Sequence, residues 1–522
     1  MKKLVTMLLC LVMALGCVVP AMAEVIPQLP LVEEPVNYTI VANIQGNDVN
    51  PKEVPLQMWL EENTNVCFDW TVLTNAETSE RISTIMASGD LPDVFINCLG
   101  DSDRLTYGQA GALLPIDEYL EYMPNLSAVM EQYPDLRAYL TCPDGHIYSI
   151  PQINFYSVWP GNGAYTKSAV NINQKWLDAV GMEIPTTTDE LYEVLKAFKT
   201  MDPNGNGEAD EIPLTFRYSG WNSSVEAFLF GPFGITGWGT KRNLEDGKTF
   251  YAISDERYVD AITYMNKLYT EGLIDPEAFT QDDNRYNAKI MEGNVGIYLD
   301  WEGTTFANDP EDPTFTLMGP VAGPDGTKMW SNQTSGYNPN YCMVASTVEN
   351  PELLCQYFDY MLTEEISFQT LWGTFGHYSQ NNGDGTYTYY TGSEYPNIFE
   401  SSIRVMPANF SEELIGRTTV LNKDTGELSD KTGVLKYQVS TLYGPYCTDE
   451  YYPSILLDTE ANERISVLST PVSNAIQEKE IAWIMGESDI AAEWESFLAE
   501  VNALGLEEMT QIYQDAYDRV MG

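Results

Sequence analysis

Along the chain, short runs of apolar residues alternate with stretches in which apolar residues recur every three or four places. Tyr38–Ile44 is apolar and β-rich and predicts a strand. Pro51–Asn63 carries Val54, Met58 and Leu60 at helical spacing, and Val66–Leu73 reads as a second strand. Glu77–Ala87 is helical and stops at Gly89, and Asp93–Asn97 follows Leu91-Pro92 as a third strand. Strand, helix, strand, helix, strand is the order of a parallel α/β sheet. Ligands of such sheets meet the carboxyl ends of the strands. That places Asn97, Asp101 and Trp70 near a candidate site.

A second alternating region follows Tyr148–Pro151. Trp176–Val180 predicts a short helix ending at Gly181. Thr187 or Thr188 can cap a helix from Asp189 to Lys199, in which Leu191, Val194, Leu195 and Phe198 form one apolar face. Tyr258–Thr270 is helical up to Gly272, and Val295–Leu299 is a strand able to carry the chain back to the first region. Pro351–Leu362 is a further helix, with Leu354, Phe358 and Met361 on one side. The chain ends in helices at Asp489–Leu504 and Leu506–Val520. Asn381–Gly392, rich in Gly, Asn, Thr and Tyr, reads as a loop or hairpin. There is no internal repeat.

At 522 residues the chain is too long for one core and calls for two domains or three. Its first stretch reads as an export signal (residues 1–23). Met1–Lys3 is positive, Leu4–Val19 is apolar, and Ala21-Met22-Ala23 offers a cleavage site before Glu24. Lipid attachment at Cys17 is the alternative, although Ala14-Leu15-Gly16-Cys17 has Ala14 where a larger branched residue is usual. Either route puts the protein outside the cytoplasm, extracellular or at the cell surface.

Charge narrows the partners. The 27 basic and 76 acidic residues give −49, and loss of Lys2 and Lys3 with the signal leaves 25 against 76, or −51. Such a surface repels nucleic acid and anionic membranes. Six cysteines remain after residue 23: Cys67, Cys98, Cys142, Cys342, Cys355 and Cys447. None has metal-site spacing, and both disulfides and buried thiols are open.

The sharpest motif is Asp202-Pro203-Asn204-Gly205-Asn206-Gly207-Glu208-Ala209-Asp210-Glu211. Oxygen-bearing side chains stand at positions one, three, five and nine, with glycine at six, which is how a hard cation such as calcium is wrapped. Glu208 would give its backbone carbonyl. Pro213 stands where an EF-hand places its last glutamate, so Glu211 would supply the final carboxylate. The ion's role would be structural; the alternative is a polar loop without an ion.

Several stretches together resemble the large oligosaccharide-binding proteins of bacterial ABC importers, the family 1 extracellular solute-binding proteins. These are Asn173-Gln174-Lys175-Trp176-Leu177 through Pro185-Thr186-Thr187 into the loop, Tyr264–Tyr269 with Glu271–Glu277, and Trp483–Gly486 with Asp489, Trp494 and Tyr513–Arg519. The resemblance implies an α/β, two-lobed periplasmic-binding-protein-like fold of type II. Each lobe would be a mixed sheet flanked by helices, with the ligand in the cleft between. The expected lobes are 24–155 plus 300–365, and 156–299 plus 366–522. Alginate-binding members carry a similar calcium loop, so by likeness Asp202, Asn204, Asn206, Glu208, Asp210 and Glu211 would hold the ion. An oligosaccharide ligand, permease subunits as membrane partners and a monomeric state are implied as well.

Sugars present flat apolar faces edged by hydroxyls, which suit Trp stacking and polar side chains. Trp59, Trp176, Trp483 and Trp494 lie on helical patterns and read as core. Trp159, Trp221, Trp238, Trp301, Trp330 and Trp372 lie by loops or strand ends and are cleft candidates. Trp301 leads, flanked by Asp300 and Glu302 after a strand, with a buried hinge anchor as its other reading; Trp221 and Trp372 follow. The rival class is a secreted glycoside hydrolase using a carboxylate pair. His146 and His377 are the only histidines, neither lies in HExxH, and no GxSxG occurs. The chain is therefore read as a binding protein and not an enzyme.

Overall fold

A computed structural model describes residues 24–44, 50–154, 169–218, 225–237, 239–242, 246–300, 314–331, 336–394, 403–426, 428–429, 439, 441–448, 450, 452 and 455–521. Two mixed sheets organise it. The first has six strands in the order Ala408–Phe410, Ile150–Asn154, Tyr337–Val344, Val94–Ile96, Val36–Asn43, Val66–Leu73. The three strands foreseen at the start of the chain are parallel, and Tyr337–Val344 runs against both of its neighbours. The second has four strands, in the order Phe315–Met318, Ala169–Asn173, Val295–Asp300, Ile212–Thr215.

Side-chain alternation puts an apolar core on each face of the first sheet. Tyr38, Ile40 and Ala42 join one large core, whereas Val41 points into the other with Phe95 and Leu105. The second sheet has a separate core around Ile172, Phe198, Leu214, Ile297 and Tyr258. These cores define two α/β lobes with helices on the sheets.

The predicted helices form where their caps say they should. Thr187 Oγ1 accepts from Glu190 N (3.1 Å) to start Thr188–Thr200, whose Leu191, Val194, Leu195 and Phe198 are buried. Asn173 Oδ1 accepts from Trp176 N (3.1 Å), starting Gln174–Val180, and Gly181 ends that helix at φ 70°. Asn75–Ser88 opens on a Thr74–Glu77 capping box. The Asn381–Gly392 stretch is a hairpin in a third, four-stranded sheet, Ser379–Asn381, Tyr387–Thr391, Thr418–Asn422, Leu428–Ser429.

The chain passes between the lobes differently from the sequence reading. The next described strand after Val295–Asp300 also belongs to the second lobe: Phe315–Met318 pairs antiparallel with Ala169–Asn173. The chain returns to the first sheet only at Tyr337. Ile366 to Val420 then packs in the first core, so the stretch expected with the second lobe is shared between the two. The long helix Thr459–Met485 was not foreseen. Pro471 lies inside it, and its buried Leu468, Val472, Ile476, Trp483 and Ile484 are separated by polar residues. Trp59, expected in a core, is 38% exposed, and Trp330, a cleft candidate, is buried against Tyr443 at a ring separation of 4.3 Å. The six cysteines after residue 23 are free thiols. Among the described residues no helix is long and apolar enough to cross a membrane.

Candidate functional site

The carboxyl edge of the first sheet gathers polar side chains. Asn43 ends one strand and Asn97 follows the next, with Asn97 Nδ2 donating to Asn43 O (3.0 Å). Asn97 takes φ 52°, a left-handed conformation that asparagine tolerates better than most residues. Its N–H donates to Tyr341 O (2.8 Å), which brings Tyr337–Val344 to the same edge. Asp101 opens the helix Asp101–Gln109 and accepts from Asn340 Nδ2 (2.8 Å), Tyr139 OH (2.9 Å) and Arg104 Nη2 (3.2 Å). Arg104 is wholly buried and also reaches Ser149 Oγ (3.2 Å) and Tyr139 O (3.2 Å). The Tyr139 hydroxyl is pushed far above its ordinary range by burial and by the Asp101 charge. Asp101 is thus held rigidly, with its side chain 39% exposed.

On the second lobe the matching edge is built by Ile212–Thr215 and Val295–Asp300, which run parallel. Arg217 follows the first of these strands. Its guanidinium pairs with Asp283, stands 3.9 Å from Asp300 Oδ1 and lies over the Tyr286 ring at 4.6 Å. Asp300 is 3% exposed. Burial, followed by the Asp300 charge, raises the Tyr286 and Tyr298 hydroxyls far above their usual range, and Tyr286 OH donates to Leu299 O (2.6 Å). Beside this edge lies a cavity of about 270 Å³ lined by Tyr218, Gly239, Tyr251, Tyr258, Ser473, Gln477 and Glu480, among others. Glu480 is fully buried and accepts from Tyr258 OH and from Tyr218 OH (2.5 Å).

Of the sequence-predicted contacts, Asn97 and Asp101 meet on one edge and Asp300 lies on the other. Trp159, Trp221, Trp238, Trp301 and Glu302 lie outside the described residues. Trp372 is corrected: it ends a helix inside the first core, 3% exposed, stacked on Phe368 (5.0 Å) and Tyr389 (5.6 Å). Arg217, Asn43, Asn340 and Tyr139 were missed. Each is an ordinary polar residue in sequence, and only the pairing of distant strands, or for Tyr139 the packing of the helix Pro134–Leu140, brings it to an edge.

The Asp202–Glu211 loop lies between the helix Thr188–Thr200 and the strand Ile212–Thr215. Asp202 takes φ 48°, Gly205 71° and Gly207 79°, so the backbone curls as the motif requires. Asp202 Oδ2 accepts from Gly207 N (3.1 Å) and Asn206 Oδ1 from Glu208 N (2.7 Å). Asn204 and Asn206 both aim their amide N–H groups at Asp210, at 3.1 Å. Those bonds, Asn206 foremost, lower the Asp210 pKa. Glu211 differs: its Oε1 is buried without a partner, and burial, then Asp210 and Asp202, raise its pKa. Among the described residues no three His, Cys, Asp or Glu side chains converge as ready metal ligands. Even so, the donor set of hard oxygens and the orphaned Glu211 oxygen fit a hard divalent cation.

His146 Nδ1 pairs with Asp117 Oδ2 (3.0 Å), which raises its pKa; it serves a turn of the first lobe.

Residues 47–367 match the family model described as bacterial extracellular solute-binding protein. The fructooligosaccharide ABC transporter substrate-binding protein FusA of Streptococcus pneumoniae serotype 4 is 30% identical over 515 residues, covering 94% of this chain and 91% of that one. A structure of the pneumococcal FusA with kestose superposes with a TM-score of 0.77 at 28% identity, covering 93% of this chain and 99% of that one. An EF-hand mutant of FusA in complex with fructo-nystose gives a TM-score of 0.77 at 27% identity over the same shares. With more than half its length matched by the family model and a full-length relative at this identity, the chain belongs to the bacterial extracellular solute-binding proteins.

Proposed function

We propose that this protein is the extracellular binding component of an ABC importer and captures an oligosaccharide between its two lobes. The observation that carries this reading is the likeness to FusA along 94% of the chain. The two polar edges support it, since the first offers a carboxylate with amides and the second a carboxylate with a guanidinium, groups of the kind that hold sugar hydroxyls. Asn97 and Asp101 act from the first lobe, and Asp300 with Arg217 from the second. Trp301, Glu302, Trp221, Trp159 and Trp238 remain candidates for stacking and hydroxyl contacts.

The mechanism is capture by closure. Open lobes admit the sugar, contacts to both edges favour the closed form, and the closed pair of lobes is what the permease reads. No covalent step is involved. The first lobe runs from residue 24 to 154 and from 337 to about 420, and the second from 169 to 331 with most of 439–521. The protein works outside the cytoplasm as a monomer.

Asp202, Asn204, Asn206, Asp210 and Glu211, with the Glu208 carbonyl, would hold a calcium ion. Bound there, it would neutralise the carboxylates and fix the loop that leads into Ile212–Thr215. The EF-hand of FusA supports this part.

Isothermal titration with kestose and nystose tests the function, alongside neutral glucans and uronic-acid oligomers. Binding of one neutral series with the sugar recovered intact is expected. Absence of any saccharide binding, or recovery of shortened sugars, would refute it.

A further inference from the structure

Along the helix Thr459–Met485, residues four apart form one buried row: Leu468, Val472, Ile476, Glu480 and Ile484. All are aliphatic except Glu480, whose carboxylate has no exposed surface. A buried charge lowers stability unless donors hold it, and an aliphatic side chain would serve the packing better. Two donors reach Glu480 from separate elements. Tyr258 OH comes from the first turn of Glu256–Thr270, and Tyr218 OH (2.5 Å) from the residue directly after Arg217.

This carboxylate lines the cavity of about 270 Å³ that adjoins the polar edge of the second lobe. The cavity runs from Ser473 and Gln477, both exposed, to the fully buried Glu480, three residues on one face of the helix. Ile253 and Ile476 make its apolar wall, and Tyr251 stands beside Ser473, with which its hydroxyl is hydrogen-bonded. Burial raises the Tyr251 and Tyr258 hydroxyls, so both stay protonated at neutral pH. The helix itself runs from one lobe to the other. Leu456, just before it, packs with Phe95 and Leu105 of the first lobe, and Thr459 Oγ1 donates to Gln109 Oε1 (3.4 Å).

We propose that this cavity is a subsite of the sugar-binding cleft and takes one neutral ring at the end of the bound oligosaccharide. Glu480 and Gln477 meet the ring's hydroxyls, and the Tyr251 ring meets its apolar face. The inference rests on the function proposed above and adds to it where the sugar chain ends and in which class of ring. At about 270 Å³ the space falls short of the roughly 300–1,000 Å³ of whole-ligand pockets, so it suits one ring and not a chain. Among the described residues that line it none is cationic. An acidic ring would therefore set its carboxylate against Glu480 with nothing on the wall to offset the repulsion. A neutral ring meets no such cost.

Titration calorimetry of the full chain with sucrose, kestose and nystose, each one ring longer than the last, and with maltose, maltotriose and maltotetraose tests this. In the wild type, Kd should tighten about tenfold or more at the ring that enters the cavity, since hydrogen bonds to a charged group are the strong ones. Ser473→Phe, which fills the mouth, should abolish that step, so that longer and shorter members of the series bind alike. Gln477→Ala should weaken the longer members about fivefold and leave the shorter ones unchanged. Both positions are exposed, so both variants should melt near the wild type. Should Ser473→Phe fold poorly, Gln477→Ala decides. Wild-type binding that neither variant alters would overturn the subsite and leave the function standing. Absence of saccharide binding by the wild type would remove both. A uronic-acid oligomer whose affinity falls in the same two variants would overturn the assignment of a neutral ring.

Discussion

Replacing Glu211 by Gln isolates the electrostatics of the Asp202–Glu211 loop, because the side chain keeps its shape and loses only its charge. Glu211 carries a buried, unpartnered Oε1, and burial with the charges of Asp210 and Asp202 raises its pKa above 4.5. A group whose folded pKa is raised stabilises below its unfolded pKa and loses that contribution as pH rises through the folded value. With calcium chelated at pH 7.5, the carboxylate therefore opposes folding. An unsatisfied buried polar group costs about 1–3 kcal/mol, and partial exposure of Glu211 brings the estimate to about 1 kcal/mol. Glu211→Gln in chelator should accordingly raise Tm by about 2 °C. Calcium reverses the sign. At a hundred times its Kd the ion stabilises the wild type by about 2.7 kcal/mol. Loss of one carboxylate ligand, taken as about a hundredfold in affinity, cuts that gain to about 0.4 kcal/mol at the same concentration. The variant should melt above the wild type in chelator and below it in calcium, read by scanning calorimetry in both buffers. Unchanged wild-type melting on adding calcium would refute the ion site. A Glu211→Gln chain less stable than wild type in chelator would refute the electrostatic account.

Asp359 has its pKa raised to about 6, chiefly by burial. Its contribution is present below the unfolded carboxylate range and lost as pH rises through about 6, so urea denaturation should show Asp359→Asn gaining about 2–3 kcal/mol on the wild type between pH 4 and pH 7.5. Gly296 has no room for a side chain: a Cβ there would lie 2.4 Å from Phe198 Cδ2 and 2.8 Å from Pro213 O. Gly296→Ala should cost about 1–3 kcal/mol in the same assay. Arg217→Lys keeps the charge but loses the fork that meets Asp283 and Asp300, so oligosaccharide affinity by titration calorimetry should fall about tenfold or more, with a smaller change in Tm. An unchanged Kd would remove Arg217 from the site.

Local pattern was enough for much of this molecule. The strands at Tyr38 and Val66, the capped helix after Thr187 and the curled Asp202–Glu211 loop follow from residues adjacent in sequence. Their causes are side-chain periodicity, cap hydrogen bonds and glycine at positive φ, all of which act over a few residues. The family likeness was legible as well, because ordered short motifs survive where no single one is decisive. Pairing between distant strands decided the rest. Tyr337–Val344 contains Pro339 and reads poorly as a strand, yet it is the partner that carries Asn340 to Asp101. Trp372 looked like a cleft residue because glycine follows it, but the aromatic neighbours that bury it come from Phe368, Tyr389 and Phe410. Arg217 gains its meaning only when Val295–Asp300 pairs beside Ile212–Thr215. Burial and charge pairing depend on which segments meet across tens to hundreds of residues. One-dimensional periodicity reports which face of an element is apolar, and the tertiary fold alone decides what that face, or its polar edge, is set against.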